Sequence, residues 1–305
     1  MKILVTGATG LVGAALVAAL ARDGHMVCRL VRPTTKAQGG APGTFDVAWN
    51  PETGELGGAA VGAEAIVNLA GASIAEGRWN EARKKILRSS RVDASRALVT
   101  ALAKMNAKPD VLVSASAIGY YGDRGDEVLT EESASGDGLL AAICKDWEAE
   151  ALRAEAFRAR VVLARFGIIL SKDGGALPKM VPPFKLGAGG RIGDGKQWMS
   201  WIALADAIEI LQFALNNREL RGAVNVVSPQ PLRNAEFTKV LAGALHRPAF
   251  VPAPAFALRL AMGEMADALL LSSQRVVPEK LTKAGYRFLE PGLHQALTRI
   301  LGTPP

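Results

Sequence analysis

MKILVTGATGLVG, residues 1–13, is the stretch that decides the fold. Lys2 to Thr6 is an apolar run long enough for one buried strand. Gly7, Gly10 and Gly13 follow at a spacing of three, and Ala14 to Arg22 is an Ala/Leu/Val segment of helical character. Strand, glycine turn and helix in that order form the opening unit of a dinucleotide-binding βαβ fold. One glycine permits the tight turn, one lets backbone approach a pyrophosphate, and one lets helix and strand pack closely. The helix N-terminus offers that phosphate unpaired N–H groups and the positive end of a dipole. Thr6, Gly7, Thr9, Gly10, Leu11, Val12 and Gly13 are therefore the expected contacts on this side of the cofactor.

The chain around this unit has 305 residues, enough for one large α/β core and a smaller lobe. A hydrophobic content of 49% against 21% charged residues marks a folded chain, not a disordered one. No apolar stretch approaches the ~18 residues of a membrane span. The N-terminal apolar run breaks at Gly7 and belongs to the fold, so it does not read as a signal peptide. Cys28 and Cys144 supply no disulfide framework, and a reducing, cytoplasmic setting is expected. No metal site is expected. The formal net charge is +7, but the cations are scattered. Their densest group, Arg83, Lys84, Lys85 and Arg88, reads as a solvated helix face beside Glu81, so nucleic acid is not an expected partner. A basic balance also suits an anionic cofactor and a phosphorylated substrate.

Met26 to Val31 is the second strand, and the residue that ends it selects the cofactor. An acid about 20 residues beyond the glycines bonds the ribose 2′-hydroxyl of NAD. Here Arg32 stands nineteen residues after Gly13, and no Asp or Glu occurs between Gly24 and Phe45. An arginine there pairs with a 2′-phosphate, which points to NADP(H), with Arg29 and Lys36 as candidate helpers. The alternative is an exposed strand-end charge. Phe45 to Trp49 and Ala65 to Leu69 are the next strands. Arg78 to Met105 reads as one long helix or two, Val111 to Ser114 as a fifth strand, and Leu139 to Ala151 as a helix with Glu148 and Glu150 on its exposed side.

TGATGLVG, residues 6–13, resembles the fingerprint of the short-chain dehydrogenase/reductase superfamily in its extended, nucleotide-sugar-epimerase-like branch. Asn68-Leu69-Ala70-Gly71 resembles the element of that superfamily that leaves room for the adenosine half of the cofactor. Val113 to Gly122, VSASAIGYYG, resembles the strand end that carries the catalytic Ser or Thr and then a Tyr-Gly, with one residue inserted; Ser116 is the implied hydroxyl. The superfamily pairs it with Tyr-x-x-x-Lys on the following helix, one turn apart on one face. The Tyr moves the proton, while the Lys holds the nicotinamide ribose and lowers the Tyr pKa. Lys145 occupies the Lys position, but four residues earlier stands Ala141. Three readings stay open: Tyr120 or Tyr121 supplies the proton with Lys145 on the ribose; the proton moves through water or substrate; or NADP is bound without turnover.

Arg165-Phe166-Gly167 resembles the element that turns the chain toward the substrate lobe, and Arg165 is placed with the cofactor contacts. Lys179 to Gln197 is a loop dense in Pro, Gly and cations. Lys185, Arg191, Gln197 and Trp201 are its candidate substrate contacts, with a nucleotide sugar or other phosphorylated small molecule as the implied substrate. SAIGYYGDRGD, CKDWE, LSKDGGALPKM, GKQWMSWI, MGEMAD and LLLSSQRVVPEKL, spread from residue 116 to 281, resemble an "epimerase family" group with a short C-terminal domain. Phe256 to Leu270 reads as an apolar helix serving core or a homodimer contact. The expected architecture is a Rossmann-like, doubly wound α/β sheet. Residues 1–170, with about 198–228, form the NADP-binding domain, and 171–197 with 229–305 form a smaller C-terminal substrate lobe.

Overall fold

The computed structural model describes residues 1–33 and 42–302; Lys36 lies outside the described residues. The first strands and helix form where the glycine unit places them: β1 Lys2–Thr6, α1 Leu11–Arg22, β2 Met26–Val31, β3 Thr44–Asn50, the short β4 Glu55–Leu56, and β5 Ala65–Asn68. Two helices fill the next stretch, α2 Glu81–Ser89 and α3 Val92–Lys104, with the break at Ser90-Arg91. Then come β6 Val111–Ala117, the short β7 Val128–Leu129, α4 Leu139–Leu152 and β8 Arg160–Phe166. The remaining elements used below are β9 Ile168–Leu170, α5 Leu177–Lys185, β10 Trp198–Met199, β11 Trp201–Ala203, α6 Leu204–Asn216, β12 Gly222–Val226, β13 Leu232–Arg233, α7 Asn234–Ala244 and α8 Ala255–Met262.

Eight strands form the main sheet in the order β12-β8-β6-β5-β1-β2-β3-β4, parallel except for the β3–β4 pair. Its strands read as continuous Val/Ile/Leu runs because both faces are covered. Alternation along β1 separates the faces: Ile3 and Val5 pack with Leu16 and Leu20 of α1 and Leu211 of α6, whereas Leu4 packs with Leu98 and Leu102 of α3. The chain runs outward from β1 in both directions, so the strand order reverses between β1 and β5. The crevice above that reversal is where doubly wound sheets bind ligands.

A second apolar cluster, with Phe184, Met199, Trp201, Phe237, Leu241 and Leu297, forms the core of the smaller lobe. Two expectations change there. The Pro-rich KMVPPFK segment is helical in α5, with Pro178 in the first turn, where a missing N–H costs nothing, and Pro182 and Pro183 further in. Trp198 to Ile202 contributes to two short strands, β10 and β11, in different sheets. The expected Phe256–Leu270 helix breaks at Gly263 (φ 62°), and α8 buries none of its residues.

Asp206 ties the lobe to the main sheet. It sits in the first turn of α6, is fully buried, and accepts the backbone N–H groups of Leu289 (2.8 Å) and Glu290 (2.9 Å). Burial raises its carboxyl pKa, opposed by those two hydrogen bonds. Asp206→Ala strands two backbone donors, one of them on the buried Glu290, so it should lower unfolding free energy by roughly 1–3 kcal/mol in urea titration. A loss below about 0.5 kcal/mol would show that the C-terminal segment is held by other contacts.

Candidate functional site: the glycine cradle and the polar network beneath it

Gly7 turns with φ 62°, and a Cβ there would lie 2.5 Å from the Leu69 carbonyl oxygen. A Cβ on Gly13 would lie 2.1 Å from the Gly7 carbonyl oxygen, so α1 touches the turn backbone to backbone. Gly10 is the N-cap of α1 and brings no side-chain cap. Ala14 is the first α1 residue whose N–H bonds back, to Gly10. The N–H groups of Leu11, Val12 and Gly13 thus have no acceptor among the described residues, and they point where a pyrophosphate would sit. The loop after β9 closes this end, with Gly174 and Gly175 against the Leu11 side chain.

Thr6 and Asn68 were read as cofactor contacts, but the structure spends both on the cradle itself. Both are buried. The Thr6 hydroxyl donates to Asn68 Oδ1 (2.7 Å) and accepts the N–H groups of Leu69 (3.0 Å) and Ala70 (3.1 Å). Asn68 Nδ2 donates to Ser95 (2.8 Å) and Ser114 (3.3 Å), and Trp147 Nε1 also donates to Ser95 (2.9 Å). A buried amide must find such partners, and here they lock the β1 and β5 ends together at the switch point. Leu69 and Ala70 stay partly open, and Gly71 is exposed at the crevice. Arg32 is also exposed, with no ion pair among the described residues, whereas Arg29 is paired with Asp46 at 2.7 Å and is not available to a phosphate.

A second buried network joins the end of β6 and the loop after it to α4, β8 and β12. Ser116 is 2% exposed and donates to Glu148 Oε1 at 2.6 Å. Arg165 grips the same carboxylate from both sides, Nε to Oε1 and Nη2 to Oε2, each 2.8 Å. Its Nη1 donates to the Tyr121 hydroxyl (2.9 Å), which donates in turn to Asn225 Oδ1 (2.7 Å). The guanidinium lies 3.5 Å from the centroid of the Tyr120 ring. Burial pushes the Tyr121 phenol up to about 12 even though Arg165 pulls it down. Burial likewise holds the Cys144 thiol at about 11, so it stays protonated. Glu148 is therefore core and not an exposed residue of α4, and Arg165 is its buried ion-pair partner.

This register explains the position of Lys145. Ala141, Cys144 and Glu148 turn inward at spacings of three and four, so Lys145 falls on the exposed side. Its ammonium has no partner among the described residues. A charge that does lie beside the crevice is Arg91, at the break between α2 and α3. Its Nη2 donates to Ala72 O (3.0 Å) and its Nη1 to Leu87 O (3.1 Å). A Cβ on Gly71 would lie 3.2 Å from its Cζ. Burial lowers its pKa, the neighbouring Cys144 acts in the opposite sense, and no carboxylate neutralises it among the described residues.

The NAD-dependent epimerase/dehydratase family model matches residues 3–227, and a domain of unknown function matches residues 253–300. The chain belongs to the NAD-dependent epimerase/dehydratase family. It is 43% identical over 297 residues to an epimerase family protein of Mycobacterium tuberculosis, covering 97% of this chain and 96% of that one. It is 38% identical to a chloroplastic epimerase family protein of Arabidopsis thaliana, covering 99% and 87%. The crystal structure of human epimerase family protein SDR39U1 with NADPH superposes with a TM-score of 0.88 at 34% identity, covering all of both chains.

The other expected contacts of this epimerase-family site are dispersed. Trp201 is fully buried in the lobe core and donates its indole N–H to Gln230 O (3.1 Å). Gln197 is a clasp, donating to the carbonyls of Ile192 (3.2 Å) and Leu270 (2.9 Å). Lys185 and Arg191 are exposed, and Arg191 lines a groove on the smaller lobe. Asn234, the first residue of α7, is buried and accepts the Ile192 N–H, while Arg233 takes the N-cap position. Among the described residues no three His, Cys, Asp or Glu side chains converge to hold a metal, and no helix is long and apolar enough to cross a membrane.

Glu148→Ala would leave the Arg165 guanidinium buried and unpaired, and should cost roughly 3–5 kcal/mol in chemical denaturation. Gly13→Val should leave no folded protein able to bind a dinucleotide, read by circular dichroism and ligand titration. A folded, binding Gly13→Val variant would contradict the packing described.

Proposed function

We propose that this chain is an NADP(H)-dependent oxidoreductase or epimerase-like enzyme acting on a carbinol or ketone of a small molecule. The observation that carries the reading is the start of α1: three free N–H groups under a Gly7 turn that admits no side chain. The NADPH complex of the human relative supports the same cofactor. NADP(H) supplies hydride acceptance or donation when bound. Arg32 at the end of β2 pairs with a 2′-phosphate, and the absence of an acid there removes the usual NAD contact. Gly10, Leu11, Val12 and Gly13 receive the pyrophosphate, with Gly7 and Thr9 shaping the turn. Leu69, Ala70 and Gly71 leave room for the adenosine half, and Arg91 places a cation beside Gly71.

Proton transfer falls to Tyr120. The Tyr121 hydroxyl is already bonded on both sides, whereas Tyr120 is half-buried and its hydroxyl has no partner among the described residues. Ser116 acts through the network that holds Tyr120 and not as an exposed donor. The site takes a small-molecule substrate, with nucleotide sugars and other phosphorylated carbonyl compounds as the first to test.

A second reading, NADP(H) binding without turnover, is favoured by Ala141, by the outward Lys145 and by the hydroxyl of Ser116 being committed to Glu148. Titration with both reduced cofactors should show NADPH bound at least about tenfold more tightly than NADH, and Arg32→Ala should remove most of that difference. Equal affinities would overturn the role of Arg32. NADPH oxidation across a panel of nucleotide sugars and carbonyl compounds separates the two readings. With an active substrate, Tyr120→Phe should lower kcat by roughly 10²–10⁴-fold while NADPH affinity stays unchanged. An active Tyr120→Phe variant would move the proton transfer to water or substrate.

A further inference from the structure

A groove of about 550 Å3 lies on the smaller lobe, and it shares no lining residue with the glycine cradle or the Ser116 network. One wall is a single face of α7, formed by Ala235, Thr238, Lys239 and Ala242 at positions i, i+3, i+4 and i+7. The opposite face of that helix, with Phe237 and Leu241, is buried in the lobe core. Arg191, Phe250 and Pro252 form the other wall. The two alanines are what leave the trough open, because a larger side chain at either position would fill it.

The groove brings together three polar side chains that the protein itself does not satisfy. Thr238 is 7% exposed, and its hydroxyl has no hydrogen-bond partner among the described residues. Lys239 and Arg191 are exposed, and neither has an ion pair there among the described residues. The nearby acids are engaged elsewhere: Glu236 accepts the Arg233 N–H and Asp194 the Lys196 N–H. Phe250 stands over the rim at 87% exposure, the highest of any large apolar side chain described. Two cations, one from each wall, and a free hydroxyl lining an alanine–proline–phenylalanine trough match an anionic head on an apolar body. The volume falls in the range of small-molecule sites, which pair apolar walls with a few placed polar groups. The side chains of these walls offer no amide or carboxylate to read the hydroxyls of a sugar or the edge of a base.

We propose that this groove is a separate binding site for a small amphiphilic anion, a carboxylate or phosphate carried on an aliphatic or aromatic body. Arg191 and Lys239 receive the head, Thr238 donates to it, and Phe250 covers the body against Ala235, Ala242 and Pro252. This site stands apart from the dinucleotide cleft and does not depend on the reading of that cleft.

The test uses the full chain with octanoate as probe, followed by amide chemical shifts. Saturable shifts are expected, confined to α7, the 249–252 segment and the backbone around Arg191. Octan-1-ol, which lacks the charge, and inorganic phosphate, which lacks the tail, should each bind at least about tenfold more weakly. Lys239→Glu should weaken octanoate by about tenfold or more, and Phe250→Ser by several-fold. Both positions are exposed, so melting temperature and NADPH affinity should stay as in the wild type. The proposal is overturned if octanoate gives no saturable shifts at millimolar concentration, if the shifts centre elsewhere, if octan-1-ol binds as tightly, or if Lys239→Glu binds octanoate unchanged. Binding of an acidic aliphatic peptide without octanoate binding would assign the groove to a protein partner and equally overturn it.

Discussion

Everything at the cofactor end depends on the contact between Gly13 and the Gly7 carbonyl. A Cβ at Gly13 would sit 2.1 Å from that oxygen, so α1 can reach the turn only if position 13 carries no side chain. This approach aims the first three N–H groups of α1 into the crevice at the point where the strand order reverses. The Thr6 hydroxyl, bonded to Asn68 and to two backbone N–H groups of the following loop, holds the other side of the crevice at a fixed distance. A site for a long, anionic ligand thereby exists in the backbone before any charged side chain contributes.

The second network is governed by a different constraint, the buried pair of Glu148 and Arg165. Both side chains are under 10% exposed, and each would be costly alone. Satisfying them uses the Ser116 hydroxyl and the Tyr121 phenol and sets the rotation of α4. With Glu148 and Cys144 facing inward, position 145 faces outward, and the cation nearest Gly71 comes from the α2–α3 junction as Arg91. The family fold is thus kept while the polar groups usually associated with its chemistry are redistributed. Tyr120 remains as the phenol that the network positions without consuming.

Much of the fold was legible in local pattern. The strand–glycine–helix unit, the second strand ending at Arg32 and the helix over 139–151 stand where periodicity and turn residues put them. The misread side chains share one cause. Glu148 looked exposed because a carboxylate is normally solvated, and only Arg165, seventeen residues away, makes its burial tolerable. Trp201 and Gln197 looked like cleft residues, but their donors go to carbonyls brought close by folding. The helix at 177–185 was hidden by its prolines, and the break at Gly263 by the apolar run around it. Nothing local marks Arg91, whose place beside the crevice depends on Gly71 lying against it.

By itself the sequence determined the opening of the main sheet: the strand–glycine–helix unit and the strands that follow it, where glycine alone is permitted, and that no acid awaits a ribose at the end of β2. These follow from sterics and from side-chain periodicity, which act over a few residues. Only the tertiary structure decided which polar groups are free. Ser116 meets Glu148 across 32 residues and Tyr121 meets Asn225 across 104. A hydrogen bond that buried groups must make is chosen by whatever packing brings within about 3 Å. Residue type marks a group as capable of chemistry, and its three-dimensional neighbours determine whether it is already spent.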